Sequence, residues 1–350
     1  MFMNWKTLGL SALLLSISLL TQPTLCDRGV IPVEPAVVYQ SGQLATIAWK
    51  DGEEILIIST SLYVRPTLTE TPLILPQKPL YALEFIPLPS IPEVEEGDLN
   101  VFRLLESIIR TTTQTVFYEP NLREASSKTV EVIYHEIIGV HEINILKADS
   151  GKSTAEWVLR FLSNKSFPKP LMLEELSSIV DAYLIEGYSY LVFDLISLST
   201  TLKTVKPLVY KFRSEKIYYP LKASSIINGY SSITLYLLTA DRVKPESVEP
   251  SGLKIAFEAK ISRSNVEKAD KRLADFFSED VIWLTVLTWN GYLSELTGDL
   301  KAEVGFSIIH LKNELAFSAP ISTALILTAL VYVYEFRNVL KRILRRTASN

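Results

Sequence analysis

The sequence predicts an α+β fold: mainly antiparallel sheets with a central pair of helices, plus one C-terminal transmembrane helix. Three observations carry that expectation. Apolar alternations flank Asp51-Gly52, a hairpin signal because glycine takes a positive φ at little cost. Two runs of helical period lie side by side mid-chain, at residues 153–162 and 171–186. Residues 315–334 read LAFSAPISTALILTALVYVY, twenty positions without a charge.

The chain opens with Lys6 and a 13-residue apolar run, 8–20, closed by a polar break at Pro23. This is the pattern of a secretory signal peptide over residues 1–26, with Thr24 and Cys26 before a cleavage at Asp27. Thirteen residues are short for a span, which leaves a retained N-terminal anchor as the alternative. Lipidation of Cys26 is a further alternative, to which Pro23-Thr24-Leu25 is poorly suited.

The first hairpin pairs 44–49 with 53–60 across Lys50-Asp51-Gly52. Prolines 66, 72, 76, 79, 87, 89 and 92 then allow edge strands but no long helix. Residues 98–110 read as a helix with Asp98 as cap and Val101, Leu104, Leu105 and Ile108 on one face. A second hairpin is expected at 130–138 and 141–148 around Gly139. Ser153 with Glu156 forms a capping box for the first central helix, and Gly187 stops the second.

Strands follow at 188–198, 208–212 and 232–239. The KPESVEPSG stretch at 244–252 reads as a linker. Beyond it come a strand at 254–261, a helix at 265–277 and a last strand at 304–311. The expected organisation is a signal peptide (1–26), an exterior α+β region with room for two subdomains (27–252), a membrane-proximal α+β segment (253–314), a transmembrane helix (315–334) and a basic tail (335–350).

Twenty residues at about 1.5 Å rise cross a ~30 Å hydrocarbon core. Pro320 sits near the helix start, where missing donors cost least, and Tyr332 and Tyr334 sit at the inner edge. Arg337, Lys341, Arg342, Arg345 and Arg346 fix the direction, because cationic flanks stay cytoplasmic. The expectation is a single-pass cell-membrane protein with its N-terminal region outside, its tail cytoplasmic and the lipid bilayer as a partner. The competing reading is a buried core helix with a basic tail. Small residues Ser318, Ala319, Ser322, Thr323 and Ala324 would allow close helix packing.

Residues 27–314 carry 29 Lys and Arg against 38 Asp and Glu, a balance near −9 that argues against nucleic-acid binding. The single cysteine lies in the leader, which excludes disulfides, thiol catalysis and a cysteine zinc site from the exterior. An exterior without disulfides suggests an archaeal-like source.

The candidate chemistry is sparse. Gly151-Lys152-Ser153-Thr154 is half of a phosphate-binding loop, but Leu146 stands where the first glycine belongs, so Ser153 reads as a cap. His135 and His141 are a weak metal alternative on opposite arms of the second hairpin, against a reading as surface residues. His310 stands apart, beside the membrane. Glu95-Glu96 and Glu174-Glu175 are adjacent rather than converging acids. Asn164-Lys165-Ser166 is the one glycosylation sequon, with Asn164 as acceptor. Aromatics such as Tyr210, Phe212, Tyr218, Tyr219, Tyr230 and Tyr236 read as β-core first and as a binding face second. No cofactor is implied and no catalytic residue is named.

The ordered motifs 27–33 (DRGVIPV), 55–60 (ILIIST), 85–94 (FIPLPSIPEV), 139–143 (GVHEI), the Trp157 helix, 186–188 (EGY), 219–221 (YPL) and 238–242 (LTADR) resemble an exported prokaryotic family, domain of unknown function 2330. The resemblance spans residues 27–311. It implies a signal peptide, an exterior domain and, in many members, a C-terminal anchor, with no activity. A departure is the mature start at Asp27, where members often carry cysteine. The leading expectation is a membrane-anchored surface protein that binds envelope proteins or glycans or shapes the envelope. The alternatives are an exterior hydrolase and an accessory subunit of a membrane complex.

Overall fold

The computed structural model describes residues 29–33, 36–40, 42–59, 62–66, 80–113, 134–170, 172–198, 206–227 and 229–310. The leader, the 315–334 run and the basic tail lie outside the described residues. Among those described, no helix is long and apolar enough to cross a membrane.

The first strands are β1 (Gly29–Pro32), β2 (Ala36–Gln40), β3 (Gln43–Lys50), β4 (Glu53–Ser59), β5 (Leu62–Pro66), β6 (Leu80–Leu88) and β7 (Glu93–Glu96). Helix α1 (Asn100–Thr113) precedes the hairpin β8 (Tyr134–Ile138) and β9 (His141–Lys147). The central pair is α2 (Gly151–Asn164) and α3 (Leu173–Ile185). After it run β10 (Tyr190–Leu198), β11 (Leu208–Arg213), β12 (Ile217–Tyr219), β13 (Tyr230–Thr239), α4 (Pro245–Val248), β14 (Lys254–Ser262), α5 (Arg263–Ala269), α6 (Lys271–Asp275), β15 (Val281–Tyr292) and β16 (Leu300–Ala302).

Two sheets dominate this mixed α+β fold. One has the order β1-β6-β10-β9-β8; the other has the order β14-β15-β13-β3-β4-β11-β7. Among the described residues all pairings are antiparallel except β13 with β3, which runs parallel from Ile233↔Gln43 to Thr239↔Trp49. The sheets face each other across a shared interior in which Ala45, Ile47, Leu56, Tyr210 and Leu235 meet Ile86, Ile143 and Val192. Helices α2 and α3 cover the outer face of the first sheet, setting Val158, Leu162, Val180 and Tyr183 against Phe85, Leu191 and Phe193. The outer face of the second is covered by α1, α5 and α6, with Val101, Leu105, Val266 and Leu273 against Ile57, Val209 and Leu284. The layers therefore run helix, sheet, sheet, helix. Each fully buried Leu, Ile or Phe contributes about 1.5–3 kcal/mol by leaving water.

Local chemistry explains the connections. Asp51 (φ 50) and Gly52 (φ 83) are both left-handed, as a two-residue hairpin turn demands. Gly139 (φ 64) opens the β8–β9 turn. Asp98 accepts from the Asn100 N–H at 2.8 Å and starts α1.

Several expectations need correction. The cap of α2 is Ser150, whose Oγ accepts from the Ser153 N–H at 3.1 Å, so Ser153 lies inside the helix. Strand β6, from the proline-studded stretch, is an interior strand, not an edge. Among the described residues its pairing with β1 covers Ala82 to Phe85, and Pro87 lies beyond it, set opposite Leu191 of β10 on the other side. Residues 244–252 form α4 and a tight 3-10 turn, with Val248 and Ser251 buried, rather than a linker. The 265–277 helix breaks at Asp270, which is extended and caps α6 through the Arg272 N–H. The last strand is β16; Val304 adds a single bridge to Val243, and residues 308–310 are helical.

Gly151 marks the closest approach of the central helices. A Cβ there would lie 1.9 Å from the Ser177 carbonyl oxygen, and its N–H donates to Asp181 Oδ1 at 2.7 Å. Gly151→Ala should therefore cost about 2–3 kcal/mol in equilibrium unfolding, since a backbone atom must move. Gly298→Ala, whose Cβ meets nothing nearer than 3.6 Å, serves as the control. Equal stability of the two variants would show that α2 and α3 slide apart freely.

Candidate functional site

The loops at one end of the sandwich enclose a cleft of about 1180 Å³. Six chain segments build it: the β3–β4 turn, Pro89-Ser90 after β6, Glu186-Gly187-Tyr188 after α3, Arg213–Lys216 between β11 and β12, Asp275-Phe276 after α6, and Lys301 on β16. The rim is cross-braced. Ser214 N–H donates to the Gly52 carbonyl at 2.9 Å, and Trp49 Nε1 donates to the Ser214 carbonyl at 2.9 Å. Ser90 Oγ accepts from the Arg213 N–H at 2.8 Å and donates to the Arg213 carbonyl at 2.9 Å. The β3–β4 turn and the β6–β7 crossover are thus both fixed to the segment that follows β11.

One wall is aromatic and ionic. Tyr188 stacks on Tyr218, with centroids 4.8 Å apart and planes 16° from parallel. Lys301 Nζ lies 4.8 Å over the Tyr188 ring and 2.6 Å from Glu186 Oε2. Glu186 also holds Lys222, which covers the Tyr183 ring at 4.2 Å. Behind them, Tyr183 OH and the Lys222 N–H both donate to Asp299 Oδ1, at 2.9 and 2.8 Å. Partial burial alone would raise the Glu186 pKa, but its bonds to the two lysines bring it below the carboxylate norm. Burial raises Asp299, against the pull of Lys222 and Tyr183.

The lining is close to charge-balanced. Lys50, Arg213, Lys216 and Lys301 face Asp51, Glu53, Glu186, Glu215 and Asp275. Lys50 pairs with Glu279, and Lys216 with Glu303. A polyanion or a polycation would meet like charges across this cleft, whereas a polar uncharged molecule finds donors, acceptors and ring surfaces.

A second polar group lies wholly inside, between the sheets. His141 is 2% exposed, with Nδ1 2.5 Å from Asp194 Oδ2 and Nε2 3.2 Å from the Lys206 carbonyl. Both ring nitrogens face acceptors, so only the imidazolium donates to both. Register sets Glu84 directly opposite Asp194. Burial lowers the His141 pKa, but the Asp194 carboxylate, then Glu84 and the Lys206 carbonyl, outweigh it and the net shift is upward. Glu54 is fully buried as well; its Oε2 accepts from the Tyr218 N–H at 2.8 Å, and its Oε1 has no partner among the described residues. Burial pushes its pKa well above the usual carboxylate value despite that bond.

His141 is therefore an interior ion-pair residue rather than the surface residue expected. Its rung, His141↔Ile138, and that of His135, His135↔Asn144, belong to opposite faces of the hairpin. Among the described residues no group of three His, Cys, Asp or Glu gathers to hold a metal ion. His310 is nearly buried, 4.0 Å from Glu258. Asn164 ends α2 on the exposed surface. Glu95 pairs with Arg272 and Glu96 with Lys206. Tyr210, Phe212, Tyr218, Tyr219 and Tyr236 are core residues, while Tyr230 is half exposed. Sequence reading missed the cleft and the buried acids. The available signal was an acid at an inward position of an apolar strand, as at Glu54 in EEILIIS and Asp194 in YLVFDLISL.

The family model for an uncharacterized protein conserved in bacteria (DUF2330) matches residues 109–307. Among solved structures, baculovirus P35 is similar at 11% identity and a TM-score of 0.44, over 79% of this chain and 99% of that one. A mutated baculovirus P35 after caspase cleavage matches twice: at 11% identity and TM-score 0.38 over 75% of this chain and 98% of that one, and at 12% and 0.34 over 63% and 75%. Nothing about activity follows from likenesses of this size. No curated protein matches.

His141 and Glu54 bind their protons more tightly folded than unfolded. Their stabilisation is complete below the ordinary values of 6.5 and 4.5 and is lost as pH rises through the raised folded values. Melting temperature should accordingly fall toward alkaline pH. Glu54→Gln keeps an acceptor for Tyr218 and should melt several degrees higher than the parent at pH 8, with a flatter pH slope. A lower melting point at pH 8 would mean that the carboxylate is charged and needed.

Proposed function

The chain belongs to the bacterial family described as domain of unknown function 2330, and from that premise we propose a membrane-anchored exterior protein that acts by binding. The observation that carries this reading is the uncharged run 315–334 followed by five cations within residues 337–346. Such a run partitions into lipid, and the cations hold its far side in the cytoplasm. The signal-like leader gives the same orientation, with residues 27–314 outside. The exterior balance near −9 fits a role away from nucleic acid.

The cleft is the binding site in this reading. Its balanced charge, rigid rim and exposed edges of Tyr188 and Phe276 suit a saccharide chain of the cell envelope, which offers hydroxyls to polar groups and C–H faces to rings. Binding, rather than chemistry, is favoured because the one buried His–Asp pair is sealed between the sheets, 2% and 1% exposed.

Protease added to whole cells should remove the exterior and leave a cytoplasmic fragment bearing residues 335–350. Protection of the Lys50 hairpin would reject the orientation. Full-length protein in detergent should co-sediment with insoluble envelope polysaccharide, and Tyr188→Ala combined with Arg213→Ala should reduce that at least roughly tenfold, the loss of one stacking and one charged contact. Co-sedimentation untouched by the double variant would remove the cleft from the proposal.

A further inference from the structure

The end of the described chain is fixed to a patch with the chemistry of a bilayer interface. The segment after β16 is stitched down step by step. Lys244 N–H donates to the Glu303 carbonyl at 2.8 Å, Gly305 N–H to the Arg242 carbonyl at 2.8 Å, and Ser307 Oγ to Glu246 Oε2 at 2.7 Å. His310 then stops 4.0 Å from Glu258. Glu258 holds Arg242, whose guanidinium lies 5.2 Å over the Trp283 ring, and Lys260 Nζ lies 5.1 Å over the same ring. Register pairs Trp283 with Lys260 and Val281 with Ser262, so Val281, Trp283 and Lys260 share one face at the sheet edge. Val281 is 50% exposed and Phe306, next to the Gly305–Arg242 bond, is 71% exposed.

Apolar side chains on a protein surface mark a contact when they cluster. Here Val281 shares a face with a half-buried tryptophan that two cations cover, and Phe306 follows the residue bonded to the Arg242 carbonyl. Chain length selects the contact. From His310 to Leu315 there are five residue steps, which at 3.3–3.6 Å each reach at most about 18 Å, whatever their conformation. The headgroup layer itself is roughly 5–8 Å thick on each side. If residues 315–334 span the membrane, the patch around His310 is held within reach of the headgroups.

Resting on the anchor reading above, we infer that Val281, Trp283, Phe306, Arg242 and Lys260 form a docking face for the outer bilayer surface. Phe306 and Val281 enter the headgroup–acyl boundary, Trp283 lies at headgroup depth, and Arg242 and Lys260 meet lipid phosphates. The cleft is a neighbour of this face, because Glu303 of the exit segment pairs with both Lys216 of the cleft and Lys244, two residues from Arg242. Docking therefore sets the cleft mouth beside the membrane and limits how the exterior can tilt.

The test uses the full chain in lipid nanodiscs containing phosphatidylcholine and phosphatidylglycerol. In a Cys26→Ser background, an environment-sensitive fluorophore is placed by Val281→Cys, Phe306→Cys, Asn164→Cys or Leu325→Cys. Lipids spin-labelled at the headgroup should quench the probes at 281 and 306 and leave the probe at 164 unquenched. Acyl-chain spin labels should quench the probe at 325. Quenching at 325 without quenching at 281 and 306 would overturn the docking face and leave the anchor standing. No quenching at 325 would overturn both. Equal quenching at 164 and 281 would mean that the exterior lies on the membrane in no fixed orientation, which also refutes the face. Lys260→Glu should lessen quenching at 281 in phosphatidylglycerol discs more than in pure phosphatidylcholine, and an equal response in both lipids would rule out the phosphate contact.

Discussion

Every face of two sheets has to be kept from water in this molecule. The inner faces meet each other through Ile47, Leu56, Leu235, Ile143 and Val192. Each outer face then needs a layer of helix, supplied by α2 and α3 on one side and by α1, α5 and α6 on the other. That constraint explains why β10 is apolar on both faces, why Gly151 lets two helices touch, and why loops gather at the sandwich ends. The cleft lies where the β3–β4 turn and the loops that link the two sheets converge at one end of the sandwich.

Burying that much sheet leaves little room for polar groups, and several of those enclosed are hydrogen-bonded to one another. Gln43 accepts from Tyr219 OH and donates to Ser224 Oγ, both at 2.9 Å. His141 is bonded on both ring nitrogens. Such groups add little net stability, since desolvation offsets much of the attraction, but a mispaired register would strand them without partners. Glu54 Oε1, like Asp194 Oδ1 and Asp299 Oδ2, has no hydrogen-bond partner among the described residues. The pKa of Glu54 is pushed upward because the interior disfavours charge.

Placement links the cleft to the chain end. Because β13 runs parallel to β3, Thr239 and Trp49 lie at the same end of the sheet, and with them the Lys50 turn and the Arg242 segment. Glu303 joins the two through Lys216 and Lys244. A ligand in the cleft would thus lie close to whatever the Arg242–Trp283 face rests on. In the reading proposed here that is the membrane, and an envelope saccharide is at hand there.

The sequence by itself determined what depends on neighbours a few residues apart. Asp51-Gly52 must turn because two consecutive left-handed residues are needed, and Gly187 (φ 90) must end α3. Alternation placed β3, β4, β10 and β13, and the mixed sheet-and-helix class followed from them. The tertiary structure alone decided the rest. His141 reads as a turn residue until Asp194, 53 positions away, is set beside it. Pro87 reads as an edge residue until β6 is seen between β1 and β10, with Leu191 opposite Pro87. The cleft draws on segments from Lys50 to Lys301 with no shared motif. Hydrogen-bonding turns and helix caps are local and write themselves into short stretches of residue types. Strand pairing, burial of an acid and convergence of loops are set by free energy summed over distant contacts, and no short stretch of sequence carries that sum.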